Sequence, residues 1–220
     1  MEISKFIDHT ILAATATEAE VKQLCEEAKA YNFFSVCVNS AYVAFAAEQV
    51  KGTEVAVCSV VGFPLGMMST AAKVFETQQA IKDGADEIDM VINVGWLKDG
   101  KFDLVKNEIE LIKAACGDRV LKVIIETCYL TDEQKIKASE LSVEAKADFV
   151  KTSTGFGTAG ATYEDIQLMK DAVKGNAKLK ASGGVRSKEV AEKYIAMGVS
   201  RLGTSSGIKI VKGEASDSAY

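Results

Sequence analysis

Residues 148–155 read DFVKTSTG, an apolar strand that ends in Lys151 and runs into small hydroxyl residues and a glycine. Parallel strands that are covered on both faces normally read as continuous apolar runs, so a lysine in this place requires an explanation. The next apolar run, residues 178–184, reads KLKASGG and carries Lys180 near its end. Because neighbouring parallel strands lie roughly 5 Å apart, the two lysines are predicted to share one pocket.

Short β-branched runs alternate with longer amphipathic stretches along the whole chain, the pattern of repeated βα units and a parallel sheet. Eight such units can close into a barrel or lie open as a doubly wound sheet, and periodicity alone does not separate the two. Polar residues at several strand ends favour a (β/α)8 TIM barrel: Asp8, Asn39, Asp89, Lys151 and Lys180. The candidate strands are residues 5–9, 33–38, 55–60, 87–92, 120–125, 148–151, 178–182 and 201–203.

Composition predicts one globular domain over residues 1–220, with a flexible tail at 213–220, because no Pro-, Ser- or Gly-rich linker divides the chain. The net charge of -5 disfavours a nucleic-acid partner, which would need a basic surface. Five cysteines without C-x-x-C spacing indicate reduced thiols of a cytoplasmic protein. We expect neither a signal peptide nor a membrane span, since no apolar run approaches the roughly 20 residues that cross a bilayer.

The paired lysines point to chemistry on a carbonyl group. Two close ammonium groups disfavour each other's charge and burial acts in the same direction, so we expect one of the lysines to have a lowered pKa. A neutral amine adds to a carbonyl and loses water to give an iminium; alternatively, Lys151 extends to solvent. Asp89 is a candidate for the accompanying proton transfers, with an ion pair to a lysine as the alternative. Lys122 is predicted to point inward as support, paired with Asp89 or Glu126.

Two glycine-rich loops predict a phosphate site. Residues 182–187, SGGVRS, follow the seventh strand and residues 203–207, GTSSG, follow the eighth, where barrels hold phosphate groups. Backbone N–H groups, hydroxyls and helix N-termini bind a dianion even in an acidic protein, although two ordinary glycine turns are the alternative. The candidate binding residues are Gly155, Ser182, Gly183, Gly184, Gly203, Thr204, Ser205 and Ser206.

Cofactor and metal sites are not predicted. Residues 155–160, GFGTAG, match G-x-G-x-x-G, yet the next strand lacks the acidic residue that a ribose needs and the motif lies late in the chain. His9 is the only histidine and the cysteines are scattered, which disfavours zinc. We interpret His9 as a hydrogen-bonded barrel residue and Cys37 as a buried, inert thiol.

These motifs resemble the deoxyribose-phosphate aldolase family of class I aldolases nearly from end to end: EIDMV at 87–91, LKVIIET at 121–127, VKTSTG at 150–155 and KASGGVR at 180–186. The resemblance implies that Lys151 forms a Schiff base, that Lys180 perturbs it and relays protons, and that Asp89 donates and accepts protons. It further implies reversible cleavage of 2-deoxy-D-ribose 5-phosphate, in deoxyribose phosphate catabolism, to D-glyceraldehyde 3-phosphate and acetaldehyde without a cofactor.

The resemblance begins at Asp8 and Thr10, which we expect to support the site, and ends at Tyr220, which in the family reaches the site from a tail. Phe156 stands where some family members have a lysine, so backbone donors are expected to bind more of the phosphate. A transaldolase-like transfer and a silent barrel that only binds sugar phosphates are the competing interpretations. A homodimer is compatible with the sequence, which does not determine the oligomeric state.

Overall fold

Eight short strands form the inner wall of the fold, and helical segments connect them on the outside. The computed structural model describes residues 2–214, and every strand lies in that range. The strands are β1 (Ile7–Thr10), β2 (Ser35–Val38), β3 (Ala56–Val61), β4 (Glu87–Val91), β5 (Val120–Ile124), β6 (Phe149–Lys151), β7 (Lys178–Ser182) and β8 (Arg201–Thr204).

The sheet closes on itself because each strand pairs in parallel with the next and the last returns to the first. In β1, Asp8 is the register partner of Ser35 in β2 on one side and of Gly203 in β8 on the other. The predicted (β/α)8 barrel is therefore confirmed, and the open doubly wound sheet is wrong. Closure matters for the site, since it brings residues from the two ends of the chain to one interior.

The predicted strands agree with the observed ones to within one or two residues. The starts of β1 and β2 each shift by two residues. Before β1, the segment Ile3–Phe6 forms a 3-10 turn, and the strand begins only at Ile7. Lys5 and Phe6, which the prediction placed in the strand, belong to that turn, and Ile3 and Ser4 are buried in it.

Six of the described helices begin after a residue whose side chain caps them. Thr17 and Thr131 each form a capping box, with Glu20 and Gln134. Within residues 2–214, no helix combines the length and the apolar character needed to cross a membrane. The helices are α1 (Glu18–Ala30), α2 (Val43–Val50), α3 (Thr70–Lys82), α4 (Val94–Lys98), α5 (Phe102–Cys116), α6 (Asp132–Glu144), α7 (Tyr163–Val173), α8 (Lys188–Ala196) and α9 (Gly207–Lys212).

Apolar side chains fill the layer between the strands and the helices, whereas charged side chains occupy the inside of the barrel. Along β4, Ile88 and Met90 belong to the large apolar cluster that includes the helices. Glu87 and Asp89 alternate with them and are buried on the other face. The alternation of this strand therefore directs two carboxylates into the interior.

A buried ion pair joins the helical layer to the end of β4. Lys73 in α3 donates to Glu108 Oε2 in α5 and to the carbonyl oxygen of Val91, both at 2.8 Å. Both side chains are 0% exposed. Burial lowers the pKa of Lys73, and Glu108 opposes that change. The pair fixes the end of the strand that carries Asp89.

Removing one member of this pair should be costly. Lys73→Met leaves the Glu108 carboxylate buried without its cation, so we expect the free energy of unfolding to fall by about 3–5 kcal/mol, measured by urea denaturation. The double variant Lys73→Met/Glu108→Leu should recover most of that loss, because it removes both charges. A single variant as stable as the unmodified protein would contradict the assigned role.

Candidate active site

Asp89 lies at the centre of the barrel interior with no exposed surface. Its Oδ1 accepts a hydrogen bond from Lys122 Nζ at 2.8 Å. Its Oδ2 accepts from Lys151 Nζ at 2.7 Å and from Lys180 Nζ at 2.8 Å. Burial alone would raise the pKa of Asp89, but the three lysines outweigh burial and hold that pKa well below its ordinary value. The ion-pair alternative for Asp89 is thus the arrangement observed.

Lys180 contacts a second carboxylate. Its Nζ lies 2.5 Å from Asp8 Oδ2, and Ser35 Oγ donates to Asp8 Oδ1 at 2.7 Å. Burial opposes the charge of Lys180, but the carboxylates of Asp8 and Asp89 outweigh it and raise the pKa of Lys180. Lys180 is therefore not the lysine for which a lowered pKa was expected, because carboxylates separate it from the other cations.

Lys122 points inward as predicted and pairs with Asp89, the first of its two expected partners. Its second partner is Glu87, whose Oε2 lies 2.6 Å from Lys122 Nζ, and not Glu126. Burial opposes the charge of Lys122, yet the carboxylates outweigh it and raise its pKa well above the ordinary value. Lys122 is thus held as an ammonium between two carboxylates.

Arg201 completes the network and was missed by the sequence reasoning. Its guanidinium donates to Asp8 Oδ1 and to Glu87 Oε1, and its Cζ lies 3.2 Å above the ring of Phe34. Arg201 begins a predicted strand, and no role is predicted for it from the sequence. Only the pairing of β8 with β1 brings it to Asp8.

Six of these side chains form a closed ring of alternating charge. Three cations and three carboxylates make the ring neutral, which is how buried charges are stabilised. Lys151 contacts the ring at Asp89 Oδ2 and is an additional cation. The ring runs from Arg201 to Asp8, Lys180, Asp89, Lys122 and Glu87 and back to Arg201.

Lys151 ends β6, at the carboxyl end of the barrel, as predicted. It is 3% exposed, whereas Lys122 and Lys180 are 0% exposed. In the described part of the chain, its ion pair is with Asp89 alone. A lysine at this position is buried and held by one carboxylate, and it does not extend to solvent.

Two cysteines line the same interior, a cluster that spacing did not reveal. Cys37 in β2 and Cys58 in β3 are register partners, and both are buried. Cys58 Sγ lies 3.1 Å from Asp89 Oδ1. The Sγ atoms of Cys37 and Cys58 and a carboxylate oxygen of Asp89, all of which can bind metals, lie within 4.8 Å of one another. The ammonium groups at Asp89 disfavour a metal cation there by charge repulsion. The burial predicted for Cys37 is confirmed.

The predicted phosphate residues converge from three loops. Gly183 and Gly184 have φ of 78° and 79°, a conformation that suits glycine. Thr204 Oγ1 donates to the carbonyl oxygen of Val185 at 2.7 Å and so joins the loops after β7 and β8. A small cleft between these two loops is lined by Gly184, Val185, Arg186, Gly203, Thr204, Ser205 and Ser206.

The loop after β6 borders the same region. A Cβ added to Gly183 would lie 2.8 Å from the Cα of Gly160 and 3.7 Å from the Cα of Gly155. Ser182 Oγ is buried without a hydrogen-bond partner in the described residues. The GFGTAG segment therefore serves as a close-packed wall against the β7 loop.

Thr10 and His9 lie beside the network. Thr10 Oγ1 donates to the carbonyl oxygen of Asp8 at 2.8 Å and is buried. His9 Nε2 lies 2.7 Å from Glu27 Oε2, so the hydrogen-bonded barrel histidine is confirmed. Tyr220 lies outside the described residues, so the expectation that it reaches the site from a tail stays a prediction.

A lysine that shares a carboxylate with a second lysine, at the carboxyl end of a barrel, fits carbonyl chemistry through a covalent amine adduct. Residues 3–213 match the DeoC/LacD family of aldolases. The chain belongs to this aldolase family. The match spans all eight strands of the aldolase.

Individual relatives agree with the family. The aldolase is 53% identical over 220 residues to the deoxyribose-phosphate aldolase of Streptococcus equi subsp. zooepidemicus, covering both chains completely. It is 57% identical over 223 residues to that of Carboxydothermus hydrogenoformans, covering 100% of this chain and 98% of the relative. A tetrameric deoxyribose phosphate aldolase from Aeropyrum pernix superposes with a TM-score of 0.87 at 32% identity, covering 96% and 89%.

The charge of Lys180 should depend on Asp8. The Lys180 ammonium stays charged at every pH below its raised pKa in the folded protein and loses its charge only as the pH rises through that pKa. Asp8→Asn removes one of the carboxylates that raise this pKa, so the ammonium should lose its charge at a lower pH. We expect a downward change of about 1–3 pH units, followed by NMR of 13C-labelled lysine and assigned with Lys180→Arg.

The exposed Asp132 offers a matched control for this titration. Asp132→Asn removes one carboxylate without touching the ring and should leave the Lys180 signal unchanged. An Asp8→Asn titration that coincides with the unmodified one would show that Asp8 does not set the charge of Lys180.

Proposed function

We propose that this aldolase reversibly cleaves 2-deoxy-D-ribose 5-phosphate to D-glyceraldehyde 3-phosphate and acetaldehyde, through a Schiff base on Lys151 and without a cofactor. The observation that carries the proposal is the single carboxylate oxygen, Asp89 Oδ2, shared by Lys151 and Lys180. The names of the relatives, deoxyribose-phosphate aldolases, support the substrate. The phosphate cleft beside the lysines supports it too.

The contacts of the lysines favour Lys151 as the nucleophile. Lys180 contacts Asp8 and Asp89, and both belong to the neutral ring. If Lys180 lost its proton, two buried carboxylates would each lose a cation. If Lys151 lost its proton, the ring would stay fully paired. The additional cation is therefore the amine that can become neutral at the smaller cost.

Cleavage then follows with balanced proton transfers. The Lys151 amine adds to the C1 aldehyde, and water leaves to give the iminium. The C3 hydroxyl loses its proton as the C2–C3 bond breaks, which releases D-glyceraldehyde 3-phosphate and leaves an enamine at C1 and C2. C2 takes up a proton, and water hydrolyses the resulting iminium to acetaldehyde and free Lys151.

Asp89 and Lys180 are proposed to relay these protons. Asp89 Oδ2 contacts both amines, so one carboxylate oxygen lies on the path between Lys151 and Lys180. The raised pKa keeps Lys180 an ammonium, so Lys180 is the end of this path that carries a proton. Lys122 and Asp8 support this path by fixing Asp89 and Lys180 in place.

Phosphate recognition is proposed to rest on backbone donors and hydroxyls. Gly155, Gly183 and Gly184 would allow close approach of the dianion, and Ser205 is exposed at the cleft. Phe156 adds no cation at this wall and is half exposed. The N–H groups of the loops and the exposed Arg186, which lines the cleft, therefore supply the favourable charge.

Localisation and assembly belong to the same proposal. Free cysteines at all five positions are consistent with a cytoplasmic enzyme. Large apolar side chains are exposed on neighbouring helices at Phe75, Leu104 and Leu111, which supports assembly into a homodimer. Analytical ultracentrifugation measures the assembly state directly.

Trapping the covalent intermediate tests the mechanism. The protein is incubated with deoxyribose 5-phosphate or acetaldehyde, reduced with borohydride and mapped by peptide mass spectrometry. We expect an added two-carbon group on Lys151 that is absent in Lys151→Leu. Lys180→Leu should lower kcat by about a hundredfold or more, since it removes the proton donor.

Other outcomes separate the competing functions. An adduct on Lys180 alone would reverse the lysine roles. A requirement for a phosphorylated ketose donor would favour a transaldolase-like transfer, and binding without any adduct would favour a barrel that only binds sugar phosphates.

A further inference from the structure

Glu126 is a buried carboxylate that the proposed reaction does not use. It follows β5 and has φ of 55° and ψ of 67°, a left-handed conformation that non-glycine residues rarely adopt. Its residue exposure is 2%. Burial raises the pKa of Glu126, against the hydrogen bonds from Thr154. Strained backbone and a buried carboxyl together indicate a position kept for more than folding.

The carboxylate of Glu126 holds Thr154. The Thr154 backbone N–H donates to Oε1 at 3.2 Å and to Oε2 at 3.3 Å. The Thr154 hydroxyl also donates to Oε2, and Thr154 Oγ1 accepts from the backbone N–H of Phe156 at 3.0 Å. In the described residues Glu126 has no ion pair, so it acts through these hydrogen bonds.

The opposite end of the same loop is fixed to β7. Thr152 Oγ1 donates to the carbonyl oxygen of Ser182 at 3.2 Å and accepts from the Ser182 backbone N–H at 3.1 Å. Gly155 lies next to Thr154, and a Cβ added to Gly183 would lie 3.7 Å from the Gly155 Cα. This loop therefore packs against the β7 loop, which lines the phosphate cleft. The loop from 152 to 157 is therefore held by β7 at one end and by Glu126 at the other.

Gly157 packs directly against the carboxyl group of Glu126, and a larger side chain at Gly157 would not fit there. A Cβ on Gly157 would lie 3.3 Å from Glu126 Cδ and 2.7 Å from Cys128 Sγ. The carboxylate thus fits closely between Thr154 and the returning chain. Loss of its two acceptor oxygens would free the segment that carries Gly155.

We propose that Glu126 is a positioning residue, which fixes Gly155 through Thr154 and thereby sets the affinity for the phosphate group of the substrate. This inference rests on the proposed function, since it assigns the phosphate to the cleft between the loops after β7 and β8, against which the Gly155 loop packs. It predicts a specific defect, in binding of phosphorylated sugars and not in the chemistry at Lys151.

The test compares two sugars in the full-length enzyme. KM and kcat are measured for deoxyribose 5-phosphate and for unphosphorylated 2-deoxyribose, and the Kd of inorganic phosphate is measured by calorimetry. Glu126→Ala should raise KM for the phosphorylated sugar and the phosphate Kd by about tenfold, the effect of one lost charge-assisted hydrogen bond. It should change kcat/KM for 2-deoxyribose by less than about twofold.

Two further variants separate positioning from structural damage. Glu126→Gln keeps an acceptor for the Thr154 N–H and offers its amide N–H to Thr154 Oγ1, so it should restore phosphate affinity. Thr154→Val removes the hydroxyl from the other side and should raise the phosphate Kd in the same direction. Glu140→Ala, on the outer surface of α6, is the matched control and should change neither value.

The outcomes are distinct from a failure of the proposed function. Equal losses for both sugars in Glu126→Ala, or an unchanged phosphate Kd in Thr154→Val, would overturn the positioning role. If Glu126→Ala does not fold, the Thr154→Val measurement decides. Because phosphate binding needs no Schiff base, an absent borohydride adduct on Lys151 would reject the aldolase mechanism independently.

Discussion

One buried carboxylate with three ammonium groups is the interaction on which the rest of this barrel depends. Asp89 closes the ring of alternating charge and also carries the additional cation, Lys151. A charge without a partner in this interior would be expensive, so each ring member restricts its neighbours. The apolar layer outside the strands stabilises the barrel wall, but the ring determines how the side chains inside it are arranged.

Much of this arrangement can be predicted from the sequence, but the contacts made where the barrel closes between β8 and β1 cannot. Alternation along β4 and β5 predicts that Asp89 and Lys122 point inward, and the strand ends predict that Lys151 and Lys180 share a pocket. What local pattern does not contain is the neighbour of the last strand. The contact between Arg201 and Asp8 spans nearly the whole chain, and it exists only because β8 pairs with β1.

The charge of Lys180 depends on the same closure of the barrel. Two lysines on neighbouring strands look like mutually repelling cations when only β6 and β7 are considered. Asp8 arrives from β1 and Asp89 from β4, so Lys180 becomes the most strongly stabilised cation of that pair. Glu126 was likewise undetermined, because a strand-end carboxylate shows its direction only once the left-handed turn after β5 is known.

The position of Lys151 outside the neutral ring suits an amine whose charge must change during the proposed reaction. In the proposed mechanism, an iminium on Lys151 carries the same single positive charge as an ammonium, so Asp89 Oδ2 would face a cation both before reaction and in the covalent intermediate. The site therefore needs little rearrangement when the intermediate forms, which is the advantage of electrostatic preorganisation. The ring stays fully paired when the Lys151 amine is neutral. A ring lysine such as Lys180 could not react as a neutral amine without losing two ion pairs. Lys151 loses only its ion pair with Asp89, and the positive charge of the proposed iminium restores that pair.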